Sequence, residues 1–282
     1  MHRIALLAIP ALLLAGRAST PAVDDGRVHV VASTNVYGSI VEAIGGDLVS
    51  VTSLIDSGAQ DPHSFEASAQ NQLAVSKADL VIENGGGYDD FVDTLLDASS
   101  TTAIVINAAG VVNLPQGANE HLWYSFSDMQ TVAASIADQL SSLDADNAET
   151  YAANLTDFSG QVSALADQVA GTGEGRSAAI TEPVPLYLLE QAGFENATPD
   201  EFSEAIEEGT DVPPAVLAET LDGIGSVALL AYNSQTASPE TEQLRAAAER
   251  AGVPVVEFTE TLPDDEDYIS WMTSNVAALA AL

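Results

Sequence analysis

Two of the four histidines lie in loops that follow strand-like segments of the sequence. His63 lies in the run Asp61-Pro-His-Ser-Phe-Glu66, and His121 lies in Asn119-Glu-His-Leu-Trp-Tyr124. Neutral imidazoles are common metal ligands, and in parallel α/β sheets ligands collect at the carboxyl ends of strands. The two imidazoles therefore either converge on one metal ion or belong to unrelated loops.

Two glutamates occupy matching positions in the second half of the sequence. Glu182 follows a short strand that ends at Ile180, and Pro183 restrains the backbone after it. Glu260 follows a strand that ends at Phe258. Each is one of 42 acidic residues, so a solvated loop glutamate is the alternative at either position. Their location at strand ends favours a cleft that they share with the two loop histidines.

A long amphipathic helix is predicted between the two pairs of candidate ligands. From Asn147 to Ala170 the apolar residues recur at alternating steps of four and three, which predicts one buried stripe. The stripe consists of Tyr151, Leu155, Phe158, Val162, Leu165 and Val169. A helix of this length spans roughly 35 Å, about one domain diameter.

Strands alternate with helices on both sides of this helix, which implies right-handed βαβ crossovers and mostly parallel sheets. The predicted strands are 28–32, 49–55, 80–82, 102–106, 178–180, 227–231 and 253–258. His29 falls inside the first of these and is interpreted as a strand histidine rather than a ligand. Segment 107–126 is predicted as a long loop. The expected fold class is α/β, with two βα lobes joined by one long helix.

The predicted domain organisation has four parts. They are a signal peptide and tether at 1–27, an N-terminal metal-binding lobe at 28–146, a linking helix at 147–170 and a C-terminal metal-binding lobe at 171–282.

Acidic residues dominate the charge of the chain, whose formal net charge is 7 − 42 = −35. Such a surface repels nucleic acid and anionic membranes and attracts cations, so we expect no nucleic-acid partner. Solubility in high salt is the favoured explanation of the bulk charge, because a diffuse acidic surface is not a metal site. The sequence contains no cysteine, which excludes disulfides and thiolate ligands. Any bound metal must therefore be held by His, Asp and Glu.

The N-terminus is typical of an export signal. A short basic start at 1–3, which includes His2, precedes an apolar run at 4–14 that is too short to remain as a membrane span. Residues 13–16 resemble the end of a bacterial lipoprotein signal, but Arg17 occupies the position of the lipid-bearing cysteine. We expect an extracytoplasmic protein in which either that cysteine was replaced or the segment is cut as an ordinary signal. Attachment of lipid through a thiol is excluded for this sequence.

Eight short segments carry a resemblance to a known family. They are Ala32-Ser-Thr-Asn-Val36, Asp61-Pro-His-Ser-Phe-Glu66, Ala78-Asp-Leu-Val-Ile-Glu-Asn-Gly85, Asn119-Glu-His-Leu-Trp-Tyr124, Thr181-Glu-Pro-Val184, Ile206-Glu-Glu-Gly209, Tyr232-Asn-Ser-Gln-Thr-Ala-Ser-Pro239 and Val253-Pro-Val-Val-Glu-Phe-Thr-Glu-Thr-Leu-Pro263. Together they resemble the solute-binding proteins of the zinc and manganese ABC importers, the cluster A-I or family 9 binding proteins. The resemblance runs from about residue 28 to the end.

The resemblance implies a fold, a site and a partner. The fold would be two Rossmann-like lobes joined by one long helix, with the metal in the cleft between them. The metal ligands would be His63, His121, Glu182 and Glu260. Glu182 stands where members have a histidine or a glutamate, and Glu260 where they usually have an aspartate. The transported ligand would be Mn²⁺ or Zn²⁺ and the partner an ABC permease in the membrane, and we expect a monomer.

Two features of the family are missing from this sequence. Ser125 stands where an aspartate commonly follows the histidine motif, so we expect His121 to lack that supporting carboxylate. The family's histidine-rich mobile loop is also absent, because residues 107–118 contain no histidine. This second difference argues against zinc scavenging assisted by such a loop.

The predicted function is capture of a divalent transition metal outside the cytoplasm and its delivery to an ABC importer, without enzymatic activity. Two imidazoles and two carboxylates suit four-coordinate zinc, or manganese if a carboxylate binds through both oxygens. Manganese is slightly favoured, because position 182 has a glutamate where a histidine could stand. One alternative is a metal-binding surface adhesin of the same fold. The other is a metallohydrolase, which needs an open water position and a base, and no H-E-x-x-H motif is present.

Overall fold

The computed structural model describes residues 26–58, 62 and 65–282. The predicted signal segment with Arg17 and the candidate ligand His63 lie outside the described residues. Within the described part, the strands are β1 Val28–Thr34, β2 Val49–Ile55, β3 Leu80–Glu83, β4 Ile104–Asn107, β5 Arg176–Ile180, β6 Phe194–Asn196, β7 Leu229–Asn233 and β8 Val255–Phe258. The helices there are α1 Asn35–Gly45, α2 Ala69–Val75, α3 Phe91–Ala98, α4 Ala108–Val112, α5 Phe126–Leu143, α6 Ala148–Val169, α7 Leu186–Ala192, α8 Asp200–Glu207, α9 Pro214–Gly223, α10 Pro239–Ala251 and α11 Tyr268–Ala280.

Two four-stranded sheets have the same strand pattern, β2-β1-β3-β4 and β6-β5-β7-β8. Every strand pair in both sheets is parallel. In each sheet the first strand in sequence has the second strand on one side and the third on the other. The strand order therefore reverses between β1 and β3 and between β5 and β7. The crevice at such a reversal is where ligands bind in open α/β sheets. The predicted α/β class with two parallel sheets is confirmed.

The long helix predicted over 147–170 is α6, and its buried stripe is the predicted one. Tyr151, Phe158, Val162, Leu165 and Val169 are buried. Leu155 is only partly buried, and it packs against the same core cluster. That cluster contains apolar residues of both sheets, so α6 contributes to a core that reaches from one sheet to the other. The domain boundaries themselves stay a prediction.

The C-terminal helix α11 packs on α6 and α1 rather than only on the second sheet. The hydroxyl of Tyr268 donates a hydrogen bond of 2.8 Å to the carbonyl of Trp123. The ring of Tyr268 also lies 5.8 Å from that of Phe158 in α6. The last helix therefore braces the loop that carries His121, which belongs to the first half of the chain.

Two short elements were missing from the sequence prediction. The segment predicted as loop over 107–126 contains α4, whose first turn is capped by the Asn107 side chain accepting from the Gly110 amide at 2.8 Å. Strand β6 has three residues and begins after Gly193, which adopts the left-handed conformation at φ 89°. Elements this short have no readable hydrophobic period, so local capping and sheet pairing decide them. Among the described residues, no helix is both long and apolar enough to cross a membrane.

Candidate metal site

Glu182 and Glu260 come together at the carboxyl end of the second sheet. Both side chains are buried, with 1% of each residue exposed. Asn233 is the last residue of β7, which lies between β5 and β8 in the sheet. Its side-chain amide donates to Oε2 of Glu182 and, at 2.9 Å, to Oε1 of Glu260. One buried amide group therefore joins the two carboxylates that the sequence predicted as ligands.

The loop after β7 fixes the orientation of both carboxylates. The hydroxyl of Thr236 lies 2.6 and 2.5 Å from the two carboxylate oxygens of Glu182. The side-chain oxygen of Gln235 accepts from the backbone amide of Glu260 at 2.5 Å and from that of Thr261 at 3.2 Å. This loop lies in the segment 232–239, for which the sequence had suggested family resemblance but no role.

Tyr88 connects Glu260 to the first half of the chain. Its hydroxyl donates to Oε2 of Glu260 at 3.3 Å, and its ring lies 5.8 Å from the His121 ring in an edge-to-face arrangement. Burial raises the pKa of the Tyr88 phenol, and the negative charge of Glu260 raises it further. The phenol is therefore protonated at neutral pH and acts as the donor. Glu260 and the environment of His121 are thus neighbours across the cleft.

His121 is completely buried, and Asn119 holds its ring. Nδ1 of His121 lies 2.7 Å from Oδ1 of Asn119. The amide of Asn119 is oriented by its own donation to the carbonyl of Pro183 at 3.0 Å, so its oxygen faces the ring. Because this oxygen only accepts, Nδ1 carries a proton, and in the neutral imidazole Nε2 then has the lone pair that can bind a metal. Asn119 thus supplies the support expected to be missing because position 125 is serine.

A third glutamate approaches His121 from the second half of the chain. Oε1 of Glu207, at the end of α8, lies 3.4 Å from Nε2 of His121. Among the described residues, Glu120, His121 and Glu207 form the one set of three histidine or carboxylate ligand atoms that all lie within 4.8 Å of one another. Glu207 was not among the predicted ligands, although the segment 206–209 was one of those that carried the resemblance.

Three of the four predicted ligands lie near one another in the described part of the structure. Glu182 and Glu260 share a donor, and His121 is linked to Glu260 through Tyr88. His63 lies outside the described residues, and its role stays a prediction. His29 is exposed on β1, and its backbone amide donates to Asp79 at 2.9 Å, in agreement with its interpretation as a strand histidine.

The donor groups of this site, an imidazole and two carboxylates, suit a hard or borderline divalent cation. Two buried carboxylates side by side repel each other, and burial removes the water that would screen them. Asn233 offsets part of this cost, and a cation between the carboxylates would offset more. Imidazole nitrogen and carboxylate oxygen together suit zinc or manganese.

The chain is similar to proteins whose names describe metal binding and transport. Residues 30–282 match the family described as ZnuA, zinc-uptake complex component A, periplasmic. The manganese-binding lipoprotein MntA of Halalkalibacterium halodurans is 29% identical over 227 residues, which are 73% of this chain and 75% of that protein. The iron ABC transporter substrate-binding lipoprotein MtsA of Streptococcus pyogenes is 26% identical over 244 residues, 76% of this chain and 78% of that one.

Solved structures share the fold. The SBP FpvC of Pseudomonas aeruginosa in complex with Mn²⁺ matches with a TM-score of 0.75 at 24% identity, over 90% of this chain and 97% of that one. The periplasmic zinc-binding protein TroA of Treponema pallidum matches with a TM-score of 0.76 at 18% identity, over 91% and 99% of the two chains. Because the family match covers nearly all of the described residues, the chain belongs to the ZnuA family of periplasmic zinc-uptake components.

Proposed function

We propose that this protein captures one divalent transition-metal ion, Mn²⁺ or Zn²⁺, between its two sheets and delivers it to the permease of an ABC importer. The ion is the cargo. His63 and His121 from the first half and Glu182 and Glu260 from the second half are the proposed ligands.

The observation that carries the proposal is the buried carboxylate pair joined by Asn233. Leaving a buried charge uncompensated costs several kcal/mol. Asn233, Thr236 and Tyr88, which donate hydrogen bonds to the two carboxylates, are all neutral. A divalent cation bound between the two carboxylates would neutralise both. The names of the relatives support the same class of cargo, since they include manganese-binding and zinc-binding proteins.

Carboxylate ligands favour manganese as the cargo, while zinc binds a given set of nitrogen and oxygen ligands more tightly than manganese does. Four protein ligands leave little room at the ion for a reactive water, which supports transport over hydrolysis. The proposal includes a location outside the cytoplasm, where such a protein meets its permease. It also includes a monomeric state and no nucleic-acid partner, because the chain carries a net charge of −35.

Calorimetric titration of the purified, metal-stripped protein with MnCl₂ and, separately, ZnCl₂ tests the proposal. We expect about one ion per chain for both, with tighter binding of zinc. A stoichiometry near zero for both ions would contradict the proposal.

Asn119 gives a second test, because it contacts His121 but is not a proposed ligand. Replacing Asn119 with alanine should weaken metal binding by about 10–100-fold, since the ring loses the acceptor that fixes its orientation and tautomer. Asn119→Asp keeps an oxygen that can accept from Nδ1 but loses the donation to Pro183, so it should retain more of the affinity than Asn119→Ala. Equal dissociation constants for Asn119→Ala and the wild type would show that the contact does not prepare His121 for metal.

A further inference from the structure

An acidic cavity of about 460 Å³ lies beside His121, between the loop at 117–120 and helix α8. Its carboxylates are Glu120, Asp200, Glu204, Glu207 and Glu208, and no lysine or arginine is among the described residues that line it. A concave surface of one charge sign raises the local concentration of counter-ions, which here are cations.

Two of these carboxylates also approach the buried imidazole. Glu120 and Glu207 line the cavity, and both offer a ligand atom within 4.8 Å of one on His121. With the Nδ1 proton directed at Asn119, the atom of His121 that faces Glu207 is Nε2. This set combines a buried imidazole with carboxylates from two separate segments of the chain.

The distance between Nε2 of His121 and Oε1 of Glu207 equals the separation expected between two atoms that bind the same metal ion. In the neutral imidazole, Nε2 and the Glu207 oxygen are both lone-pair atoms, which repel each other unless a proton or a metal ion lies between them. Two ligand atoms each about 2.1 Å from a tetrahedral metal ion lie about 3.4 Å apart. The observed separation of 3.4 Å matches this value without any rearrangement of the side chains.

We propose that Glu120, His121 and Glu207 form a second, transient position for the transported divalent cation, and that the ion enters through the acidic cavity and is captured there first. This inference rests on the proposed function. His121 offers one lone pair on Nε2, so it cannot hold an ion in both positions at once. The ion therefore moves from Glu120 and Glu207 to the final ligands while His121 stays bound to it.

Stopped-flow mixing with MnCl₂ tests this order of events. The Trp123 ring lies 5.1 Å from the His121 ring, so tryptophan fluorescence should report arrival of the ion. The test variant is Glu207→Gln. The matched control is Glu204→Gln, which removes one charge from the same helix and the same cavity, one turn away, on an exposed side chain. Circular-dichroism melting of both variants checks that they fold.

A loading position predicts a kinetic effect with little change at equilibrium. Glu207→Gln should lower the association rate constant at least fivefold and lower dissociation by a similar factor, so the dissociation constant stays within about threefold of the wild type. Glu204→Gln should change association less than twofold. Equal association rates for the two variants would overturn the inference.

A loss of affinity in Glu207→Gln with unchanged association would also overturn it, because Glu207 would then be a permanent ligand. Absence of Mn²⁺ binding to the wild type would overturn the proposed function and this inference with it. Wild-type binding that depends on Glu182, combined with equal rates for the Glu207 and Glu204 variants, would remove only the loading position.

Discussion

Replacing Glu182 with glutamine should remove most of the rise in melting temperature that Mn²⁺ or Zn²⁺ gives to the wild-type protein. An ion that binds only the folded chain stabilises it by about 4 kcal/mol at a thousandfold excess over its dissociation constant. At about 2–4 °C per kcal/mol for a chain of this size, the wild-type rise is about 8–16 °C. Loss of one charged ligand that weakens binding by about a hundredfold removes roughly 3 kcal/mol of this stabilisation.

Glutamine is the informative replacement because it keeps the size of the side chain and an oxygen that can accept from Asn233 or Thr236. Glu260→Gln should give a similar loss, since Glu260 shares the same donor. Glu195→Gln is the matched control, because Glu195 is exposed on β6 of the same sheet. Thermal melts with and without each ion measure all of these variants.

The first half of the chain should respond in the same way. His63→Ala should lose the metal-dependent rise, and His29→Ala should keep it, because His29 lies exposed on β1. If Glu260→Gln retains the full rise while His63→Ala loses it, the site lies within the first half alone and the cleft hypothesis is wrong.

The parts of the structure that follow from local sequence could be predicted. The stripe of α6 follows from a period of 3.6 residues, and the positions of Glu182 and Glu260 follow from the ends of apolar strands. Asn233 was missed because its role depends on β7 lying between β5 and β8. Local sequence patterns do not predict the order of strands in a sheet. Glu207 was missed for a related reason, since only tertiary packing brings the end of α8 to His121.

Burial separates the few carboxylates with a specific environment from the many that are solvated. Of the 42 acidic residues, the fully buried ones in the described part of the chain are Glu83, Asp89, Glu182 and Glu260. Asp89 has a structural role, because it accepts from the backbone amides of Asn84 and Gly85 at 2.6 and 2.8 Å. Those two bonds hold the glycine-rich turn that leads to Tyr88. Glu83 accepts from the Asn107 side chain instead. We expect its burial to make the stability of the protein depend on pH.

The pKa of Glu83 is raised from 4.5 to about 7, mainly by burial and in addition by the negative charges of Asp89, Asp93 and Asp90. The hydrogen bond from the Asn107 side chain at 2.7 Å acts in the opposite direction and is outweighed. A raised carboxyl pKa means that the folded protein binds this proton more tightly than the unfolded chain does. The stabilising contribution is therefore fully present below about pH 4.5 and is lost as the pH rises through about 7.

Glu83→Gln should consequently flatten the pH profile of stability. The shift of 7 − 4.5 = 2.5 units corresponds to about 3 kcal/mol as an upper figure. Relative to the wild type, the variant should gain up to that amount between about pH 4.5 and 8, because its amide never ionises. Denaturant unfolding of the metal-free proteins at several pH values in this range measures the difference.

The decisive quantity in that experiment is the slope of the free energy of unfolding against pH. A glutamine that packs less well than a protonated glutamate lowers stability equally at every pH, so it shifts the curve without changing its shape. Asp97→Asn provides the control, since Asp97 is exposed on α3 and close in sequence to the charges around Glu83. Its profile should run parallel to that of the wild type, while the profile of Glu83→Gln should diverge upwards as the pH rises. Parallel profiles for all three proteins would mean that Glu83 is already ionised in the folded state near pH 5, held by Asn107 more strongly than burial opposes it.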